Sequence, residues 1–306
     1  MLHITNGDSV IASLEEVSMP GEFLSWRDIL HEGPAPGTRT IEELSDIRAR
    51  FVADSGWASY EEAREELARR DAVLARSREQ DEVVLWFEHN LFDQLQLLQV
   101  LDWYYRNPPL PPRLSLIHPE GYLGVMPGEV LEGVFPMRQQ VHPSQLELGH
   151  KGWRAFTSPE PLDMAALAGA SNAPLPYLAA NFERFLEEYP SVRNGLSRSE
   201  EQILRVVQAG RRDPEEIFHA FCEFEEPMFM GVSSVCSRLE RLAAGQAAAG
   251  ADDGYQLTEL GERLLRGESD WIRECGGIDM WLGGVHLRGA DAAWRWDGER
   301  KILARG

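Results

Sequence analysis

Apolar and polar positions alternate with three different rhythms along the 306-residue chain. Leu2-His3-Ile4-Thr5 is a short β-prone run that breaks at Asn6-Gly7-Asp8, and Ser9 to Val17 then carries apolar residues at helical spacing. The pattern predicts a strand, a tight turn and a helix. Met19-Pro20-Gly21 punctuates, Glu22 to Ser25 reads as a second strand, and Trp26 to Pro34 is a polar stretch that Pro34, Pro36 and Gly37 make into a loop. From Ile41 to Arg78 the spacing is helical and densely charged, with Gly56 as the break. Val83 to Phe87 is a continuous apolar run, as in a buried parallel strand, and Glu88-His89-Asn90 leads into a helix from Leu91 to Arg106. Prolines after Asn107 stop that helix, and Arg113 to His118 reads as a further strand. This order predicts an α/β fold over residues 1–125: a mostly parallel sheet flanked by helices.

Residues 119–175 are rich in Gly and Pro, with short helices expected at Pro127 to Val134 and around Pro143 to Phe156. Residues 126–195 read as a bridging region containing an amphipathic helix, Leu175 to Tyr189. From Leu196 the rhythm changes again. Three helices, the second opened by Asp213-Pro214 and the third by Ser233-Ser234, precede a hairpin through Asp253-Gly254 and a helix capped by Thr258. That order predicts an α+β winged-helix-like domain over 196–306, ending in strands joined by an Asp297-Gly298 turn.

Composition narrows the class. With 43% hydrophobic and 26% charged residues the chain is neither disordered nor fibrous. It has no apolar run of about 18 residues and no signal-peptide pattern at its start, so a cytoplasmic protein without membrane contact is expected. Cys222, Cys236 and Cys275 lie far apart and are expected as core thiols. The formal net charge of -20 argues against non-specific nucleic-acid binding, which depends on cationic surface. Arg238 and Arg241 on the third C-terminal helix are the candidate groove contacts. Glu240 between them and the acidic surroundings favour a protein partner instead.

In a parallel sheet the loops after the strands converge on one edge, where ligands bind. The strand exits here carry Asn6-Gly7-Asp8-Ser9, Trp26-Arg27-Asp28 with His31 and Glu32, Glu88-His89-Asn90 with Asp93, and His118. One crevice of carboxylates and imidazoles is expected. Gly7 and the helix start after it suit an anion, whereas Asp8 suits a ribose hydroxyl, a metal or a reacting proton. A plain helix cap by Asp8 or Ser9 fits the same residues. Glu88, His89 and Asp93 offer a general base with an orienting carboxylate, or a divalent-cation site without the H-x-x-x-H or H-E-x-x-H pairing. Caps at the helix start are the plainer account. Trp26 would stack a ligand, with Arg27, Asp28 and Glu32 binding it, unless the loop is a structural crossover in which Arg27 pairs with Asp28. Asp8, His31, Glu88, His89 and Asp93 are thus the catalytic candidates, and Asn6, Gly7, Ser9, Trp26, Arg27, Asp28 and Glu32 the ligand-binding ones. His3, inside the first strand, is expected to pack in the core. No P-loop, G-x-G-x-x-G or G-x-S-x-G is present.

The segments LHITNGDSV at 2–10, WRDILHEGP at 26–34 and VVLWFEHNLFDQLQLL at 83–98 resemble the bacterial family catalogued as domain of unknown function 1835. LSRSEEQIL at 196–204, LTELGERLL at 257–265 and WLGGVHL with WRWD at 281–297 resemble the half that often follows it. Asn90 stands where family members often have Asp. The resemblance implies fold and domain order and brings no activity. Residue chemistry favours a small-molecule site for a nucleotide-like or phosphorylated ligand, with hydrolysis or group transfer if it is an enzyme. Its rivals are a ligand-sensing regulator that contacts DNA or a protein through the C-terminal domain, and a non-catalytic adaptor.

Overall fold

The computed structural model describes residues 1–38, 40–251 and 254–306; Asp253 of the expected hairpin turn lies outside them. They form two compact units, Met1–Asn181 with Gly283–Val285, and Phe182–Leu282 with His286–Gly306.

The first unit is a mixed α/β layer. Its elements are β1 (Leu2–Thr5), α1 (Asp8–Glu16), β2 (Glu22–Ser25), the two-residue β3 (Gly33–Pro34), α2 (Ile41–Asp54), α3 (Tyr60–Arg76), β4 (Glu82–Trp86), α4 (Leu91–Arg106), β5 (Arg113–Ile117), α5 (Gly128–Val134), β6 (Gln139–Gln140), α6 (Pro143–Thr157) and α7 (Leu162–Ala168). Five strands pair in the order β2-β1-β4-β5-β6. The first four are parallel, and β6 runs antiparallel to β5. Pairing of Thr5 with Ser25 and Trp86, and of Trp86 with Ile117, ends the four parallel strands in one row. The residues that follow them therefore emerge along a single edge.

Every β1 and β4 side chain is buried, so these strands lack the alternation of a half-exposed sheet. One sheet face packs Val84, Trp86 and Ile117 against Val10 and Leu14 of α1 and Leu131 of α5. Right-handed crossovers send α1 and α4 to opposite faces. On the α4 side α6 packs closely: a β-carbon on Gly149 would sit 2.5 Å from Leu101 and one on Gly152 2.8 Å from Leu98. Residues 126–181 lie in the first compact unit, where α6 at 15 residues is a full helix whose glycines fit it to α4. His3 is buried as expected; Trp86 donates to its Nδ1 at 3.0 Å and Pro20 O lies 3.2 Å from Nε2.

The amphipathic helix expected over 175–189 is α8 (Leu178–Leu186), within which the two units divide. The second unit continues with α9 (Arg198–Gln208), α10 (Pro214–Cys222), α11 (Val232–Ala244), a hairpin of β7 (Ala248–Ala251) and β8 (Gly254–Leu257), α12 (Glu259–Arg266), α13 (Trp271–Glu274) and the strands β9 (Ile278–Gly283), β10 (Val285–Gly289), β11 (Trp294–Asp297) and β12 (Ile302–Arg305). Ile203, Leu204, Val207, Ile217, Phe221 and Leu239 bury the facing stripes of α9, α10 and α11. Thr258 caps α12 by accepting from Gly261 N at 3.1 Å, as its sequence position predicts. The turn expected at Asp297-Gly298 is longer: β11 and β12 are joined by Gly298–Lys301. Asp297 accepts from the amides of Glu299 and Arg300, both at 3.1 Å, and this holds the wider loop. Cys222 and Cys236 are half-buried, whereas Cys275 is exposed rather than in the core because it sits at the turn ending α13.

Candidate functional site

β1 lies between β2 and β4, so the chain leaves it toward one neighbour and returns on its other side. Such a reversal opens a crevice at the carboxyl ends of the strands. Asn6 and Glu88 follow those two strands and join one network. Asn6 Nδ2 donates to Asp93 Oδ2 at 2.9 Å, and Glu88 N donates to Asp93 Oδ1 at 2.7 Å. Asn90 caps α4 by accepting from Asp93 N at 3.0 Å and donates to Glu88 Oε2 at 2.8 Å. Gly124 N completes the shell at Glu88 Oε1, 3.1 Å away. Asp93 is wholly buried. Burial, and then the neighbouring Glu88 carboxylate, hold its carboxyl far above the ordinary range; burial raises Glu88 as well. Two enclosed carboxyls this close retain protons that water would remove.

The imidazoles stand beside this network. Gln94 Nε2 donates to Glu88 O at 2.5 Å and lies 2.7 Å from His118 Nε2. Burial, and then the charge of His89, push His118 down to about 4. His89 is half-buried between the rings of Tyr122 and Tyr177, 5.3 and 5.8 Å away, and Gly121 N donates to its Nδ1 at 3.4 Å. Glu88, His89 and Asp93 are thus neighbours, as their spacing predicts, but protein donors surround the carboxylates.

The loop after β2 turns into the protein. Arg48 of α2, 1% exposed, donates to Asp28 Oδ1 at 2.9 Å, Glu32 O at 2.6 Å, Ile29 O at 2.9 Å and Pro34 O at 3.3 Å. This arginine fastens the whole loop. Arg70 of α3 lies 3.5 Å from Asp28 Oδ2, and its Nε and NH2 donate to Asp71 Oδ1 at 3.0 and 2.9 Å. Ser45 Oγ donates to Asp71 Oδ2 at 2.6 Å. His31 is buried edge-on to Phe92, with Nε2 3.7 Å from Glu32 Oε1. Trp26 is buried too: Arg70 covers its ring at 4.3 Å and Gln99 accepts from its Nε1 at 2.8 Å. The expected single crevice is therefore divided. Asn6, Glu88, His89, Asp93 and His118 meet at the reversal, while Asp28, His31 and Glu32 are drawn inward by Arg48 and Arg70.

Between these groups the surface opens. A cavity of about 290 Å³ beside the carboxyl end of β2 is lined by Asp8, Ser25, Trp26, Arg27, Glu66, Arg69 and Arg70 among others. Arg27 pairs with Asp8 at 3.1 Å and Glu66 at 2.9 Å, not with Asp28, because its backbone turns outward with φ +46°. A non-glycine residue in that region is strained by roughly 1 kcal/mol. Helix α1 begins at Asp8 behind Gly7 and has no side-chain cap, so neither Asp8 nor Ser9 fills the capping role. Its first turn contributes Asp8 and Ile11 to the cavity wall, and the backbone amides there carry the positive end of the helix dipole. Gly7 meets nothing within 4 Å of a would-be β-carbon, and Ser9 is exposed near Gly124. Two atoms of wall residues, Ser25 Oγ and Arg70 NH1, are shielded from solvent and make no hydrogen bond among the described residues, and Arg70 NH1 lies 3.5 Å from Asp28 Oδ2. Arg70 is only 4% exposed.

In the second unit the candidate DNA-contacting arginines are engaged. Arg238 lies 3.5 Å from Glu188, and Arg241 donates to Glu200 Oε1 at 2.7 Å. Among the described residues no group of three or more His, Cys, Asp or Glu is arranged to hold a metal ion, and no helix is long and apolar enough to cross a membrane. No protein-family model and no curated protein matches the chain. Sequence reasoning missed Arg48, Arg70, Gln94 and Tyr177. For Arg48 a signal existed: it falls at helical spacing from Ile41 and Leu44 and beside Ala49 on the buried stripe, where a charged residue at a core position implies a buried partner.

Proposed function

We propose that the first unit binds a small nucleotide-like or phosphorylated ligand in the cavity beside β2. The observation that carries this reading is the cavity wall itself, where Arg27, Arg69 and Arg70 meet Asp8 and Glu66 beside the uncapped start of α1. The wall sets Arg27, Arg69 and Arg70 against Asp8 and Glu66, so it is cationic within a chain of net charge -20. The uncapped start of α1 adds to that bias. A volume of about 290 Å³ sits at the lower end for ligand pockets, roughly 300 to 1,000 Å³, and suits a mononucleotide fragment or sugar phosphate better than a dinucleotide. Of the candidate catalytic groups only Asp8 lines the cavity, so hydrolysis or group transfer would run through Asp8, with Glu88 and Asp93 holding the edge behind it.

Thermal-shift and calorimetric titration against inorganic phosphate, sugar phosphates and nucleoside monophosphates test this. A ligand at 100 times its Kd stabilises by about 2.7 kcal/mol. Loss of the hit in Ser25→Ala/Arg27→Ala, with folding retained, supports the site; an unchanged hit removes it.

The second reading is a ligand-sensing regulator of the family whose segments the chain resembles. It draws on the order of α9, α10, α11, the β7–β8 hairpin and α12, which is that of winged-helix domains. Because Glu188 and Glu200 occupy Arg238 and Arg241, this reading favours a protein partner over DNA.

A further inference from the structure

The second unit holds a larger cavity, about 480 Å³, whose walls all come from residues 188–280. Its chemistry is the reverse of the first. Glu188, Glu200, Glu274 and Asp279 face it against the single cation Arg241. The apolar surface is supplied by Pro190, Ala244, Ile278, Met280 and the indole of Trp271, which is packed so firmly that a β-carbon on Gly245 would lie 2.2 Å from it.

The four carboxylates differ in how tightly they are held. Glu188, 2% exposed, is locked by Arg184 at 2.7 Å, by Ser199 Oγ at 2.6 Å and by Arg238. Glu200 accepts from its own helix cap at Ser197 N, 2.8 Å, and from Arg241. These two are structural. Asp279 and Glu274 stand nearer solvent. The Asp279 side chain is 61% exposed, and its partners are the exposed Arg288 at 3.1 Å and the half-buried His286 at 2.5 Å. Glu274 pairs with the half-exposed Arg263 at 3.5 Å and with Ser269. Exposed ion pairs contribute little to stability because solvent screens them, so an incoming cation exchanges into them at little cost.

We propose that this cavity is a second ligand site, selective for a small organic ammonium ion whose apolar body lies against Trp271, Ile278 and Met280 and whose charge is received by Asp279 and Glu274. Its volume falls within the range of small-molecule pockets. Arg241 is the one wall group that an anion would seek, and its guanidinium is already bonded to the buried Glu200. The site is independent of the cavity beside β2 and of the function proposed for it.

Cys275 lines the same cavity and is exposed, which makes it a reporter. The full-length protein is alkylated with iodoacetamide in the presence of benzyltrimethylammonium or of phenylacetate, and modification at Cys222, Cys236 and Cys275 is read by peptide mass spectrometry. The expected result is selective protection of Cys275 by the ammonium ion, with Cys222 and Cys236 unaffected. Asp279→Asn, a change at a surface position, should raise the concentration needed for half-protection about fivefold. Equal or better protection by phenylacetate, no protection by the ammonium ion at millimolar concentration, or protection undiminished in Asp279→Asn with Glu274→Gln each overturns the proposal.

Discussion

The two cavities show how little a net charge of -20 says about a particular site. Beside β2, three arginines face two carboxylates, and one of the arginines is buried with a nitrogen lacking a hydrogen-bond partner. In the second unit four carboxylates face one arginine, and the buried members are fully paired. The first wall is lined mainly by cationic donors; the second offers exchangeable acceptors at its rim. Selectivity follows from which groups have hydrogen-bonding capacity left over, because paired buried charges are already satisfied.

The sharpest way to break the comparison is to remove the support of the first cavity. Arg48→Met strips Asp28 of its shortest cationic contact and three loop carbonyls of their donor. An uncompensated buried carboxylate costs about 3 to 5 kcal/mol. Urea denaturation should show a loss of that size, and a loss below about 1 kcal/mol would mean that the loop after β2 is not fastened as described.

Acid separates the units next. In the first, His118 titrates at about 4 when folded, below its ordinary value of 6.5. The unfolded chain therefore binds the proton first, and stability contributed by neutral His118 falls as pH drops from 6.5 toward 4, by about 3 kcal/mol. Asp93 acts with the opposite sign. Its folded carboxyl is raised to about 8, so the fold loses stability as pH rises from the ordinary carboxylate range to that value. Relative to wild type, His118→Gln should gain as pH falls and Asp93→Asn should gain as pH rises. In the second unit burial raises Glu188, but Arg184 and Arg238 outweigh it and hold the group at about 2. Its contribution, about 3 kcal/mol, persists until pH falls through the interval between 4.5 and 2. Hydrogen exchange followed from pH 7 to 3 should show the amides around His118 losing protection before those around Glu188; the reverse order would refute both assignments.

Smaller effects refine the first cavity. Arg27→Gly relieves a left-handed backbone and removes a cavity cation. It should weaken phosphate-ligand affinity about tenfold, or 1.4 kcal/mol, while leaving stability unchanged or up to about 1 kcal/mol higher. Glu66→Gln removes an anion from the same wall and should tighten that ligand by about two- to fivefold in calorimetric titration. Tightening in one variant and weakening in the other identify the wall charge as the selector. Equal effects of the same sign would not.

Much of this fold was legible before any coordinates. Val83 to Phe87 could only be a doubly buried strand, Thr258 announced the start of α12, and each strand exit carried polar residues at the sheet edge. The site was legible only as far as adjacency along the chain reaches. Glu88, Asn90 and Asp93 meet because a helix start folds i, i+2 and i+5 together, which spacing reveals. Asp8 with Arg27, or Arg48 with Asp28, meet across 19 and 20 positions of sequence, where nothing local signals the pairing.

The sequence by itself determined the strand and helix periods, the single edge on which polar residues emerge, and the core placement of His3, because these depend on which side chains water rejects at a fixed spacing. Tertiary structure alone decided which charges are spent. Arg48 and Arg70 pulled Asp28 inward, and Glu188 and Glu200 took Arg238 and Arg241. The reason is physical: burial follows from local composition, whereas the satisfaction of a charge depends on partners that only the folded chain brings within hydrogen-bonding distance.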